Sequence, residues 1–416
     1  MPESDSLLKS FNQIVKWLII CLLISGIIGS VTAFFLYSLD IVTNFRDTHF
    51  WIIYTLPLNG FLIGFIYYQY GDDANKGNNV IIEAHHASHQ NIPFKMAPLV
   101  YIGTILTHLS GGSAGREGTA VQMGGAIAAP LAKWFKLNDS EKKTIIIMGV
   151  SAGFAAVFGT PWAGAIFALE LMGFKYIRWQ SILPSFAAAY LAHFICLQWD
   201  IKHSIYVVNL IPSLNLYNLV FALFAGLLFV LTALLFSLSN HFWENIFNQI
   251  NYKPLRPFIG GIIIIIVILL LGSTKYIGLG IPEIKNAFIT TSGHYDFIIK
   301  LLLTSFTLSV GFKGGEVTPL FYIGATLGSS LILFIPLPFA LLAAMGFVAV
   351  FAGATHCVIA SIILGIEIFG INAGMYIGIA SIAAYFSSGP IGIYSAKIKS
   401  GAKFSLYNYF KKISSI

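Results

Sequence analysis

An all-α polytopic membrane fold is predicted by three features of this sequence. Of its 416 residues 57% are hydrophobic and only 10% charged, against about 25% charged in an average soluble domain, so water cannot surround most of the chain. Several runs hold no Asp, Glu, Lys or Arg: Trp17 to Leu39, Trp51 to Tyr70, Thr144 to Leu169, Phe258 to Thr274, Val317 to Ala354 and Ile368 to Ala396. A helix crosses hydrocarbon with about 20 such residues. The runs are continuously apolar, whereas the strands of a membrane barrel alternate polar and apolar positions, so the spans are helical.

Along the chain, Glu3 and Asp5 precede the first run, which is long and lacks an obvious small-residue cleavage site. It reads as a retained membrane helix and not as a signal peptide. Net charge is +7, and much of the excess lies in Lys133, Lys136, Lys142, Lys143 and, near the end, Lys397, Lys399, Lys403, Lys411 and Lys412. The positive-inside rule makes those segments cytoplasmic, with both termini on that side of a cell membrane. No folded basic domain accompanies the tail, so nucleic acid is not expected as a partner. Cys21, Cys196 and Cys357 lie apart in apolar stretches and read as packing residues, with neither a disulfide framework nor a metal cluster signalled.

The chain contains a repeat. Setting Leu109 on Leu308, a shift of 308 − 109 = 199 positions, pairs Glu117 with Glu316, Thr119 with Thr318 and Gly125-Ala126 with Gly324-Ala325. Beyond each cluster, GFAAVF from Gly153 leads to Glu170 and GFVAVF from Gly346 leads to Glu367. Two matches in one order argue for a duplicated unit, placed at residues 1–210 and 211–416, with no soluble regulatory domain after it. Transporters made of two repeats of opposite topology hold their substrate at the repeat interface, on interrupted helices whose N-termini face the ion.

Residues Gly111 to Thr119, GGSAGREGT, set Arg116 and Glu117 at the head of an apolar segment, where ionised groups are costly and by default functional. Gly115 and Gly118 let the backbone turn its N–H groups toward one point, and the positive end of a helix dipole adds to them, making a place for an anion. Glu117 is then a built-in competitor for that anion. Protonated, it can leave, so one carboxyl group both gates the path and carries a proton. The competing reading is an Arg116 to Glu117 pair that only braces the loop. A phosphate loop is excluded because no Gly-Lys-Ser/Thr follows.

GREG followed by a helix, then SAGFAAVFGTPWAGAIFALE from Ser151 to Glu170, resembles the signature of the CLC family of anion channels and anion/proton antiporters. The likeness runs from about Asn75 to Tyr394. It implies an inverted-repeat fold with Glu117 as external gate and proton carrier, and a homodimer with one pathway per subunit. Most members read GREGP; this chain has Thr119 for the proline. Chloride-conducting members carry a GSGIP-like loop where this chain has Gly77, Asn78, Asn79 and Val80, and GxFxP where it has GGEVTP, Gly314 to Pro319. Both departures are similar to the fluoride/proton antiporter branch. A GLGIP string, Gly278 to Pro282, lies in the second half and is not read as the anion loop. Fluoride is small and strongly hydrated, so compact donors such as the Asn79 amide and the Thr318 hydroxyl suit it.

Glu316 is a structural acid at a helix start or a second proton site; the sequence leaves both open. Tyr394, in IGIYSAK, matches the tyrosine lining the inner end of the family's anion path. Leu171 follows Glu170 where chloride/proton exchangers carry a second acid, so the usual inner proton relay is missing. His85, His86 and His89 in EAHHASH have an i, i+4 pair, but with only Glu83 nearby they read as helix-end residues and not as a zinc site. No HExxH, GxSxG or paired-aspartate motif points to an enzyme. The expectation is a fluoride/proton antiporter without cofactors, its partners being fluoride, protons and the bilayer; the alternative is a chloride channel or chloride/proton antiporter on the same fold.

Overall fold

In a computed structural model the chain is described over residues 2–87, 90–397, 403–405 and 407–408, with side chains from residue 12 onward. His89, Lys399, Lys411 and Lys412 lie outside the described residues. Helices dominate, and no strand occurs among the described residues. The first half holds α1 (Pro2–Thr48), α2 (Leu56–Tyr70), α3 (Asn78–His86), α4 (Met96–Leu109), α5 (Glu117–Trp134), α6 (Asp139–Phe158), α7 (Pro161–Met172) and α8 (Trp179–Gln198). The second holds α9 (Leu216–Phe247), α10 (Leu255–Leu271), α11 (Ile281–Asn286), α12 (Asp296–Ser309), α13 (Val317–Ser330), α14 (Phe339–Thr355), α15 (Val358–Phe369) and α16 (Gly374–Ser387).

Among the described residues only the spans Asn12–Thr48, Phe50–Tyr70, Trp179–Gln198 and Leu216–Phe247 are long and apolar enough to cross a bilayer by themselves. Short apolar helices such as α4, α7, α13 and α15 stop part-way, which is tolerated where the freed backbone groups are buried in protein. Two charge-free runs are each divided between two helices. Thr144 to Leu169 is no single span: Gly159, at φ +78°, ends α6 and Pro161 begins α7, because a left-handed residue followed by a proline cannot continue a helix. Val317 to Ala354 likewise divides into α13 and α14.

Polar contacts give the molecule two ends. Lys16 pairs with Glu141 at 3.7 Å, Arg178 donates to the Ser140 hydroxyl, and Lys142 reaches Asn91 at 3.2 Å. The starts of α1, α6 and α8 and the segment after α3 therefore share the face that carries Lys142 and Lys143. Tyr252, after α9, meets Tyr68 near the end of α2 at 5.7 Å, and Lys95 pairs with Asp72, so these loops join the same basic face.

A glycine crossing tightens each half. A Cβ on Gly124 would lie 2.1 Å from the Gly149 carbonyl oxygen where α5 crosses α6, and one on Gly324 would lie 2.0 Å from the Gly346 carbonyl oxygen where α13 crosses α14. Without side chains at these points the backbones touch, and dispersion replaces the hydrophobic drive that is absent between helices in lipid. Between the crossings Phe321 stacks on Phe347 at 3.9 Å and meets Phe158 at 5.3 Å, a core of rings at the junction.

α7 and α15 exchange caps. Glu170, near the end of α7, accepts the N–H groups of Ile359 and Ala360 at 3.2 and 2.8 Å. Glu367, near the end of α15, accepts those of Trp162 and Ala163 at 3.0 and 2.7 Å. Each carboxylate satisfies free donors at the positive end of the other helix.

Candidate ion site between two helix starts

The loops before α5 and α13 meet in a two-residue antiparallel bridge. Gly115 N–H donates to the Gly315 carbonyl at 2.6 Å and Gly315 N–H to the Gly115 carbonyl at 2.8 Å. Glycine is required: a Cβ on Gly115 would come within 2.8 Å of the Gly315 oxygen, and one on Gly315 within 2.6 Å of the Gly118 nitrogen. Thr107 secures both loops, since its hydroxyl accepts the Lys313 N–H at 3.3 Å and its carbonyl accepts the Gly112 N–H at 2.8 Å. The bridge points two helix starts at one spot, each with unpaired N–H groups and the positive end of its dipole.

Glu117 fills that spot. Its carboxylate is 1% exposed and reaches across to the other repeat. One oxygen accepts the Thr318 N–H at 3.0 Å and the Arg116 N–H at 3.2 Å. The second accepts the Thr318 hydroxyl and faces Arg116 Nε at 3.6 Å. A carboxylate held this way is an anion bound at a helix N-terminus. The same donors are the compact amide and hydroxyl groups that a small anion needs.

Arg116 opens on a cavity of about 760 Å³ on the face opposite the basic one, where Arg46, Lys202, Lys275 and Lys285 outnumber Asp40, Asp47 and Glu283. Arg116, next to Glu117 in the chain, is the site residue that lines it. Two buried cations that the sequence analysis passed over shape this cavity. Arg46 donates to the His108 carbonyl at 3.0 Å, and the His108 ring reaches the Gly115 carbonyl at 3.4 Å. Lys300, wholly buried, donates to the carbonyls of Tyr276 and Gly278 at 2.9 and 2.7 Å and so holds the GLGIP string at the cavity wall. A lysine inside FIIKLLLTSF was the available signal.

On the basic side the loop before α3 approaches the first turn of α5. Gly77, at φ +58°, turns the chain, and a Cβ there would lie 3.5 Å from the Gln122 amide. Asn78 is buried; its Nδ2 lies 3.4 Å and Glu316 Oε2 3.8 Å from the position of a Cβ on Gly118. Asn78, Glu316 and Gly118 are therefore neighbours beneath Glu117. Asn79 points elsewhere: its Oδ1 accepts the Ala396 N–H at 3.0 Å and ties down the segment bearing Tyr394, which is buried. Val80 packs into the core. The structure thus brings Gly115, Arg116, Glu117, Gly118, Glu316, Thr318 and Asn78 together, adds Gln122, and gives Asn79 a bracing contact.

His85 is buried at the end of α3, and His86 meets the Tyr176 ring at 4.9 Å. Among the described residues no three His, Cys, Asp or Glu side chains are grouped to hold a metal ion.

Residues 59–389 match the family model described as voltage gated chloride channel. A chloride/fluoride channel protein from Pseudomonas syringae pv. tomato is 44% identical over 403 residues, covering 95% of this chain and 88% of that one. The crystal structure of a CLC-type fluoride/proton antiporter superposes with a TM-score of 0.89 at 35% identity, covering 94% of this chain and 99% of the other. A slow cyanobacterial Cl−/H+ antiporter shares the fold, with a TM-score of 0.79 at 20% identity over 96% and 99% of the two chains.

Proposed function

This chain belongs to the voltage-gated chloride channel family, the CLC transporters, and from that we propose that it exports fluoride across the cell membrane in exchange for protons. One observation carries the reading. The Glu117 carboxylate occupies an anion seat made by the Thr318 N–H and hydroxyl at the start of α13, so an anion and the carboxylate compete for one place. A proton on Glu117 removes the charge that the donors hold, the side chain leaves, and fluoride enters. Anion and proton therefore move in opposite directions. The basic face is cytoplasmic by the positive-inside rule, both termini lie there, the 760 Å³ cavity opens outward, and the halves 1–210 and 211–416 are repeats of opposite direction. Asn78, Glu316 and Tyr394 line the inner part of the path, and Asn79 braces the segment that carries Tyr394. The working form is a homodimer, which crosslinking in membranes should trap as a two-chain species.

The test is efflux from liposomes loaded with fluoride or chloride, with external pH recorded. Fluoride should leave much faster than chloride and draw protons in; equal rates would return the protein to chloride transport on the same fold. Thr318→Val keeps the shape of the side chain and deletes the hydroxyl donor. Losing one hydrogen bond to a charged group costs about 1.5 to 3 kcal/mol, so fluoride turnover should fall by roughly ten- to a hundredfold; an unchanged rate would move the anion seat off α13. Asn79→Ser should raise the chloride share of efflux, through a serine hydroxyl at the inner loop and through release of the Ala396 tether. An unchanged fluoride-to-chloride ratio would place selectivity at Thr318 alone.

A further inference from the structure

Glu170 is followed by Leu171, so the position beside it holds no acid to bring protons from the cytoplasm. The inner end of α9 supplies another polar track. Ser237, Asn240, His241 and Glu244 fall at i, i+3, i+4 and i+7, one face of a helix, within the longest apolar span of the second half. Polar groups at such positions in a bilayer are costly unless they serve a path or a partner. At the mouth, His241 Nδ1 lies 3.6 Å from Glu244 Oε2, and both side chains are more than half exposed. Above them α12 packs on the adjoining side of α9, reached through Asn240: Ser309 donates to the Asn240 carbonyl at 3.0 Å, the hydroxyls of Ser239, which lies off that face, and Ser305 meet at 2.7 Å, and Asn240 Oδ1 is buried without a partner among the described residues. The rings of Trp243 and Phe247 close on Phe306 beside this strip, at 4.9 and 5.5 Å. Ser309 ends α12, and the loop that follows carries Glu316.

We propose that protons reach Glu316 from the cytoplasm along this face of α9, with His241 and Glu244 as the collecting pair; the inference rests on the exchange reading above. A proton taken from water by the His241 imidazole or the Glu244 carboxylate passes inward through solvent and the hydroxyls of Ser309 and Ser305, each oxygen accepting one proton and releasing another. It ends on the Glu316 carboxylate, next to Gly118 and the Glu117 seat. The collecting group recovers its proton from the cytoplasm, so charge and atoms balance at each transfer. The other charged group of the loop, Lys313, turns away, with its Nζ 4.1 Å from the centre of the Tyr67 ring. The inner half of α12 offers serines and rings but no charge. The anion, by contrast, uses the mouth between Asn78 and Tyr394, so the two ions part below Glu316.

Hydrogen bonds between α9 and α12 would also serve packing alone, and proton and fluoride fluxes recorded together in liposomes separate the two roles. The expected result for the double variant H241Q/E244Q is retained fluoride flux with proton flux reduced severalfold when the cytoplasmic side is alkaline, recovery as that side is acidified, and restored coupling in Glu244→Asp. Coupling and pH profile equal to the parent's would overturn the route alone. Joint loss of both fluxes at every pH, with no rescue by aspartate, would also overturn it and assign the strip to packing. A parent that moves no proton with fluoride would overturn the exchange reading and the route with it, so the failures are told apart.

Discussion

Glu117→Gln should reduce fluoride-driven proton movement to the level of protein-free liposomes. The glutamine has the size of glutamate and still accepts from the Thr318 N–H, while the Thr318 hydroxyl can reverse and accept from its amide. What it lacks is a titrating oxygen. A neutral amide is also held more weakly by the helix starts, because hydrogen bonds to a charged group are roughly twice as strong as neutral ones. The seat is therefore contested by fluoride without any proton being exchanged, and the remaining fluoride flux is passive. Recording pH and fluoride together, with the parent as reference, checks this. Proton uptake against its gradient in the variant would remove Glu117 as the coupling residue and leave Glu316 as the next acid on the path.

Gly324→Ala should have an effect of another kind and comparable size: loss of folded protein. The new methyl carbon would sit 2.0 Å from the Gly346 carbonyl oxygen, with the Gly346 carbon at 2.4 Å, and both belong to backbone that cannot swing aside. α13 and α14 must separate along the crossing, which strips dispersion contacts from the ring stack of Phe321 and Phe347. Overpacking of a tight core costs about 1 to 3 kcal/mol, and a backbone clash belongs at the top of that range. Thermal unfolding in detergent should show a large downward shift. Gly378→Ala is the control, since nothing lies within 4 Å of a Cβ there, and it should leave the transition unchanged or slightly raised, as alanine is the better helix former. A tolerated Gly324→Ala would mean that the two helices are not in backbone contact.

The heart of the site was legible because the chemistry there is local: glycines beside an acid at the head of an apolar run, repeated after 199 positions. Glu117, Glu316 and Thr318 lie at two helix starts that meet. What sequence could not supply is direction. Whether Asn78 or Asn79 faces the gate depends on the phase of α3, which the turn at Gly77 sets, and no periodicity survives in so short a helix. The breaks inside Thr144 to Leu169 and Val317 to Ala354 were hidden since absence of charge reports burial but not continuity. Most of α9, from Leu216 to Trp243, is equally free of Asp, Glu, Lys and Arg, so absence of charge did not set it apart from the other runs. Lys300 was passed over because a single cation in an apolar run does not name its partners, here the carbonyls of Tyr276 and Gly278; Arg46 adjoins Asp47, with which it pairs, and its other partner is the distant His108 carbonyl.

The exchanged caps of α7 and α15 bear on where the work of transport is done. Together with the bridge between Gly115 and Gly315, they clamp the two repeats to each other at separate points, so rocking one half against the other would break at least four hydrogen bonds to carboxylates at once. A scaffold clamped in this way leaves torsion of a few side chains as the cheap coordinate. On the proposed exchange through Glu117, the barrier to turnover is set by electrostatics at that carboxyl group and not by elastic deformation of the walls, and the energy stored in either gradient passes to the other ion through a displacement no longer than a glutamate side chain.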